Sequence, residues 1–225
     1  MAENSSVFDM VGPVMIGPSS SHTAGVVRIG RVANRLFGGA PSYVKITFYN
    51  SFARTFEGHG SDRAILAGLM DLKTDDPNIK KALQLAEERD LAYDIKPVGN
   101  ALTMHPNTVR VELDKGERKL SVTGESRGGG IIRIKEVNGF DCNFTASSHT
   151  LIIEADDVPG SIAFLSNVLS QDHCNIATMS VSRQGKNQLA CQVIEIDSGV
   201  KPITLEYLKQ LDWVHSVLYI PDIDN

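Results

Sequence analysis

The sequence predicts an α+β protein of two domains, and three observations carry that reading. Residues 150–220 run strand, helix, strand, strand, helix, strand. Upstream of them, segments of helical periodicity alternate with period-2 runs that are joined by hairpin turns. Between the two parts lies the small polar stretch Ala146-Ser147-Ser148, which reads as a linker. The expected domains are therefore 1–146 and 149–225.

Composition supports a folded chain with a real core. The 225 residues are 42% hydrophobic and carry a formal net charge of −5, and no run of Lys or Arg dominates. Nucleic acid and membrane surfaces are thus not the expected partners. No apolar run has the length of a membrane span and no basic-then-apolar leader opens the chain, so a cytoplasmic location is expected. Cys142, Cys174 and Cys191 are far apart and form no CxxC pair. That spacing provides no zinc or iron–sulfur site, and no metal ligands are expected in this chain.

The elements follow in order. Ser5 to Pro13 reads as a short helical turn or an arm packed on the core. Gly17-Pro18-Ser19-Ser20-Ser21-His22-Thr23 is a bend, since Pro holds the preceding residue extended, and a helix begins near Thr23. Val26, Val27, Ile29, Val32, Ala33 and Leu36 form that helix's apolar face, and Gly38-Gly39-Ala40-Pro41 ends it. Tyr43–Tyr49 alternates as a strand, ending at Asn50 and Ser51. Gly58-His59-Gly60 precedes a helix from Arg63 to Asp71, with Ser61 or Asp62 as its cap. Asp75-Asp76-Pro77 starts another helix. Tyr93–Val98 is a short strand, and Thr108–Leu113 and Arg118–Ser126 form a hairpin around Asp114-Lys115-Gly116-Glu117. Gly128-Gly129-Gly130 is a flexible or tight passage into the strand Ile131–Ile134, because it lacks the Lys-Ser/Thr of a phosphate loop. Val137 to Phe140 is a hairpin tip. In the last domain, Thr150–Glu154, Asn175–Arg183, Leu189–Ile196 and Val214–Ile220 are strands, and Ser161–Gln171 and Thr204–Leu211 are helices. That order is the split-βαβ, ferredoxin-like plan.

Two stretches carry chemistry. The serine loop has two readings: a well-capped helix start, for which one serine suffices, or a pocket for a small anion lined by hydroxyls and helix-start N–H groups. His59 between glycines is either an exposed turn residue or a site residue at a second helix start.

The C-terminal βαββαβ module resembles an ACT domain, with Asp157-Val158-Pro159-Gly160 at the acidic-x-Pro-Gly turn where that family often binds an amino acid. The N-terminal part resembles the beta chain of iron–sulfur-dependent L-serine dehydratases. The matching residues are Gly17 to Thr23, Gly58-His59-Gly60-Ser61-Asp62-Arg63-Ala64 and His105-Pro106-Asn107-Thr108. That resemblance implies a fold like the allosteric substrate-binding domain of some phosphoglycerate dehydrogenases. It also implies the conversion of L-serine to pyruvate and ammonia, with a [4Fe-4S] cluster held by cysteines of an alpha subunit and none in this chain. The expected partners are that alpha subunit, the small-molecule substrate L-serine, and a second copy paired through the ACT domain.

The resemblance also suggests roles. His59 is the first candidate for the base that removes the α-proton, and His22 the second. Ser19, Ser20, Ser21 and Thr23 would hold the substrate carboxylate. Asp62 would orient His59 or cap its helix, with the cap preferred. His105 and Asn107 line the pocket or turn the chain. Asn50, Ser51, Arg28 and Arg54 are weaker additions. Asp157, Pro159 and Gly160 form the ACT ligand turn. Two competing readings are a non-catalytic amino-acid sensor and a purely structural dimerisation subunit.

Overall fold

A computed structural model describes residues 14–223 of the chain. The expected arm at Ser5 to Pro13 lies outside the described residues. The structure divides into two compact units that part after Asn138.

The first unit is a two-layer sandwich of helices on a twisted sheet. A wide π-type turn, Ser20–Ala24, leads into α1 (Gly25–Phe37), which Gly38 stops in the left-handed conformation (φ 69°). β1 (Tyr43–Tyr49) follows, then α2 (Asn50–Thr55) and α3 (Ser61–Leu69). A 3-10 turn, Pro77–Lys81, capped by Asp76, runs into α4 (Ala82–Glu88). β2 (Ala92–Val98), β3 (Thr108–Lys115), β4 (Arg118–Gly128) and β5 (Ile131–Val137) complete the unit. The strands lie in the order β2-β1-β3-β4-β5. β2 is parallel to β1 and the other pairs are antiparallel.

The core lies between this sheet and α1 with α3. All six apolar positions read from the sequence of α1 are buried, and each Val, Ile or Leu among them contributes roughly 1.5–3 kcal/mol. α1 and α3 meet backbone to backbone. A Cβ on Gly68 would lie 2.1 Å from the Val27 carbonyl oxygen, and one on Gly30 would lie 2.6 Å from that of Ile65. Asp71, just past α3, binds Arg31 (3.2 Å) and Arg35 (2.8 Å) of α1. The amide of Asn34 donates to the Leu69 carbonyl (2.6 Å). This close crossing brings the starts of the two helices together.

Two expectations are corrected in this unit, and a third is decided between its two readings. Asn50 and Ser51 do not end a strand in a loop but begin α2, with Asn50 at φ 50° turning the chain out of β1. Neither Ser61 nor Asp62 caps α3. Gly60 does so in the left-handed conformation (φ 69°), without a side-chain cap, and both residues sit inside the first turn. The glycine passage is tight rather than loose: Gly128, Gly129 and Gly130 all have positive φ, and Arg28 donates to the Gly130 carbonyl (2.7 Å).

The second unit opens with β6 (Phe140–Phe144). β7 (His149–Asp156), α5 (Ser161–Gln171), β8 (Ile176–Arg183), β9 (Leu189–Ile196), α6 (Pro202–Lys209) and β10 (Val214–Ile220) follow. The sheet runs β10-β7-β9-β8, all antiparallel, as the βαββαβ order requires. Leu151, Ile153, Leu165, Leu169, Ile194, Ile196 and Leu208 form its core. The stretch read as a linker is tied into this unit: Ala146 is buried, and its carbonyl accepts from the Ile223 amide. No helix among the described residues is long and apolar enough to cross a membrane.

Candidate active site

The two chemistry-bearing stretches of the first unit come together at the starts of α1 and α3. Gly17 makes this possible on the loop side: at φ 140°, it leaves the space where a Cβ would fall 2.5 Å from the Thr23 methyl. Thr23, itself buried, donates its hydroxyl to the His59 carbonyl (3.3 Å). Ser61, fully buried in the first turn of α3, donates to the His22 carbonyl (2.7 Å). Two hydroxyls thus tie the loops to each other in opposite directions.

The hydroxyls of Ser19 and Ser21 bond within the loop. Ser19 caps it by accepting from the His22 amide (3.1 Å). Ser21 lies 3.0 Å and Ser19 lies 3.4 Å from Nδ1 of His22, and the two hydroxyls are 3.3 Å apart. The His22 ring is packed edge-on against buried Phe52 (5.0 Å) and beside the His59 ring (4.7 Å between centroids). Burial, and then the neighbouring His59, lower the pKa of His22 below the ordinary histidine value. Its Nε2 is buried without a hydrogen-bond partner, as is Oδ1 of Asp62. The His59 ring makes no hydrogen bond to any described residue.

His59 faces an open cavity of about 350 Å³. Ile16, Gly17, Pro18 and Thr23 form one wall, His59, Gly60 and Arg63 a second, and Ile79 and Lys80 a third. Ser19, Ser20 and Ser21 do not line it. Sequence reasoning missed Arg63 and Lys80, which reach the cavity from two separate helical segments. The alternation of an imidazole with an arginine four residues later, at a glycine-started helix, was the available signal.

The remaining expected residues lie beside this centre. Asn50 pins the 99–106 segment, donating to the Ala101 and Met104 carbonyls and accepting from the Ala101 amide (2.7 Å). The Ser51 amide bonds the Pro106 carbonyl, and Arg54 donates to that of Gly99. His105 accepts from the Asn107 amide at Nδ1, so both residues shape a turn. Burial, and then Arg127, lower the pKa of His105. Asn107 accepts from the Ser126 amide, and the buried Ser126 side chain stands directly over Gly25, in the first turn of α1. The His105 turn is therefore packed behind the helix start and not on the cavity wall.

In the second unit, Asp157 is committed to structure. Its carboxylate takes the Asn187 amide and Arg183 (both 3.1 Å), and these hold its pKa below the usual carboxylate value, the amide most strongly. Pro159 and Gly160 are exposed. A cavity of about 380 Å³ lies at the other end of α5, between Val168, Asp172, Ile203 and Tyr207.

The cysteines do not fit an iron–sulfur cluster. All three are buried in the second unit. Cys191 is held protonated by its contact with Cys142 and by burial, and Cys174 stands apart near the Ser198 and Gly199 carbonyls. Among the described residues no three His, Cys, Asp or Glu side chains gather as a metal site.

Residues 6–137 match the family model for the serine dehydratase beta chain. The chain is 43% identical over 217 residues to a probable L-serine dehydratase beta chain of Bacillus subtilis, covering 96% of this chain and 98% of that one. It is 34% identical over 201 residues to the L-serine dehydratase beta chain of Peptoniphilus asaccharolyticus, covering 88% and 89%. It is also 25% identical over 196 residues to a D-3-phosphoglycerate dehydrogenase of Archaeoglobus fulgidus, covering 86% of this chain and 37% of that one. The expected likeness to phosphoglycerate dehydrogenases is thereby met.

Proposed function

The chain belongs to the serine dehydratase beta chain family, and on that premise we propose that it is the beta subunit of an L-serine ammonia-lyase. With a cluster-bearing alpha subunit it converts L-serine to pyruvate and ammonia. The observation that carries this reading is the His59 imidazole, without a hydrogen bond to any described residue, on the wall of a cavity sized for a small molecule.

Dehydration of serine breaks the Cα–H bond and then the Cβ–O bond. An imidazole is a suitable base for the first step near neutral pH. His59 is assigned that role. The resulting electron pair moves toward Cβ as the hydroxyl leaves, which gives an enamine. Its imine tautomer takes up one water to yield pyruvate and ammonia, so the water lost is regained. His22 is a positioning residue. Tilted beside His59 and fixed by Ser19, Ser21 and Phe52, it holds the first ring in place.

Hydroxide is a poor leaving group, and an iron with an open position would act as the Lewis acid that accepts it. Cysteines of the alpha subunit would hold that group, a reading supported by the burial of the three cysteines in this chain and their separation in sequence. The serine loop braces the site, and the second unit is the ACT-type module through which two copies pair.

The test is anaerobic reconstitution. Pyruvate should form from L-serine only when the chain is mixed with a cluster-bearing alpha chain. Binding of an amino acid by this chain alone, with no turnover in any mixture, would instead support a sensor.

A further inference from the structure

The cavity beside His59 has an unusual charge for this molecule. The chain carries a net charge of −5, yet among the described residues no Asp or Glu lines the cavity, while Arg63 and Lys80 both do. Arg63 stands one turn into α3, and its guanidinium has no carboxylate partner among the described residues. Lys80 reaches in from the 3-10 turn Pro77–Lys81 and likewise has no such partner. The side chain that caps that turn, Asp76, is bound to the Asn78 amide (2.8 Å). Elsewhere in this unit cations on paired elements do find acids, as Arg31 and Arg35 do with Asp71 and Arg110 does with Glu136. Two cations without a carboxylate partner among the described residues face one open cavity, with the N-terminus of α3 on the same wall, and make a field for one small anion.

Three hydroxyls that could otherwise hold an anion are engaged. Ser19 and Ser21 are bonded to His22, and Thr23 to His59. We infer that Arg63 and Lys80 are the carboxylate-recognition pair of this site, Arg63 as a fork and Lys80 as a point charge. They set specificity for a small α-carboxylate held beside His59. This rests on the lyase reading above, since it names the groups that grip that reading's substrate. The same chemistry accepts inorganic phosphate, so the two sources must be separated.

Two measurements do this, and one of them needs no turnover. Melting of the chain alone is followed with L-serine, with L-serinamide (which lacks the carboxylate) and with inorganic phosphate. Each ligand that binds the folded form raises the melting temperature. The expected result is a rise with L-serine and none with L-serinamide, lost in Arg63→Gln and in Lys80→Gln. In the reconstituted enzyme each substitution should raise KM for L-serine about tenfold or more, with kcat changed far less. A rise with phosphate alone, or a KM unmoved by both substitutions, overturns the inference. If the wild-type mixture makes no pyruvate while the carboxylate-dependent rise and its loss in Arg63→Gln persist, the recognition pair stands and the lyase reading falls.

Discussion

Two helices of this protein start in the same way and end up with different tasks. α3 follows Gly60 and α5 follows Gly160; both glycines are left-handed (φ 69° and 87°), and neither start has a side-chain cap. The backbone device is shared, and in both the first helical amide bonds a carbonyl of the preceding turn, that of Phe56 for Ser61 and that of Val158 for Ser161. What differs is what the rest of the fold lays against it. Around Gly60 lie His59, the wall of the serine loop, Arg63 and Lys80, with a cavity between them. At Gly160 the nearby acid, Asp157, faces away into a clamp on the turn between β8 and β9. A helix start becomes a site through its neighbours and not through its own geometry.

The largest break in this contrast comes from removing the imidazole at the first start. His59→Ala in the reconstituted enzyme should lower kcat by roughly 10²–10⁴-fold, the usual contribution of a general base. Cluster absorbance should stay unchanged. A substitution far from the cavity should come next. Gly68→Ala forces a methyl against the Val27 carbonyl and pushes α1 from α3. Overpacking of this kind costs roughly 1–3 kcal/mol, or a melting temperature about 3–10 °C lower, and it should impair turnover as the helix starts separate. Melting of the second unit's counterpart, Ser166→Ala, should change little by comparison, since that hydroxyl bonds only its own helix and is exposed.

A pH effect follows in size. The folded pKa of His22 lies below its unfolded value of about 6.5. Below that pH the unfolded chain binds protons that folded His22 resists. Stability is therefore full above pH 6.5 and declines as the pH falls below it. The melting temperature should drop between pH 7.5 and 5.5, and the drop should be smaller in His22→Asn. His105 contributes in the same direction. The smallest effect belongs to the second helix start. Asp157→Ala should leave kcat and KM for L-serine unchanged and should speed amide exchange at Asn187, whose N–H it releases.

Much of the second unit was legible, although β6 went unread and α6 runs Pro202–Lys209 where Thr204–Leu211 was expected. α5, β9 and β10 fall at the bounds that alternation and turn residues indicate. Those signals are local, and the unit's contacts between neighbouring strands reward them. The first unit was less so where the deciding contact is distant. The sequence rules favour Ser61 or Asp62 as a cap, but Ser61 is drawn inward by the His22 carbonyl, and Gly60 supplies the turn. α2 went unread because it is six residues long and opens from a left-handed asparagine. The pairing of Gly30 with Gly68, and of Arg63 with Lys80, joins positions whose relation exists only after folding. The histidines were found because their glycine and hydroxyl surroundings are visible in one dimension; the cationic wall was not.

The central claim is that L-serine sits at the His59 cavity and not in the ferredoxin-like unit. Carbethoxylation of histidines in the reconstituted enzyme, read by mass spectrometry with and without L-serine, tests it most directly. The account predicts that L-serine slows modification of His59 and leaves His149, His173 and His215 of the second unit unaffected. Equal modification of His59 in both conditions, or protection confined to the second unit, would contradict it.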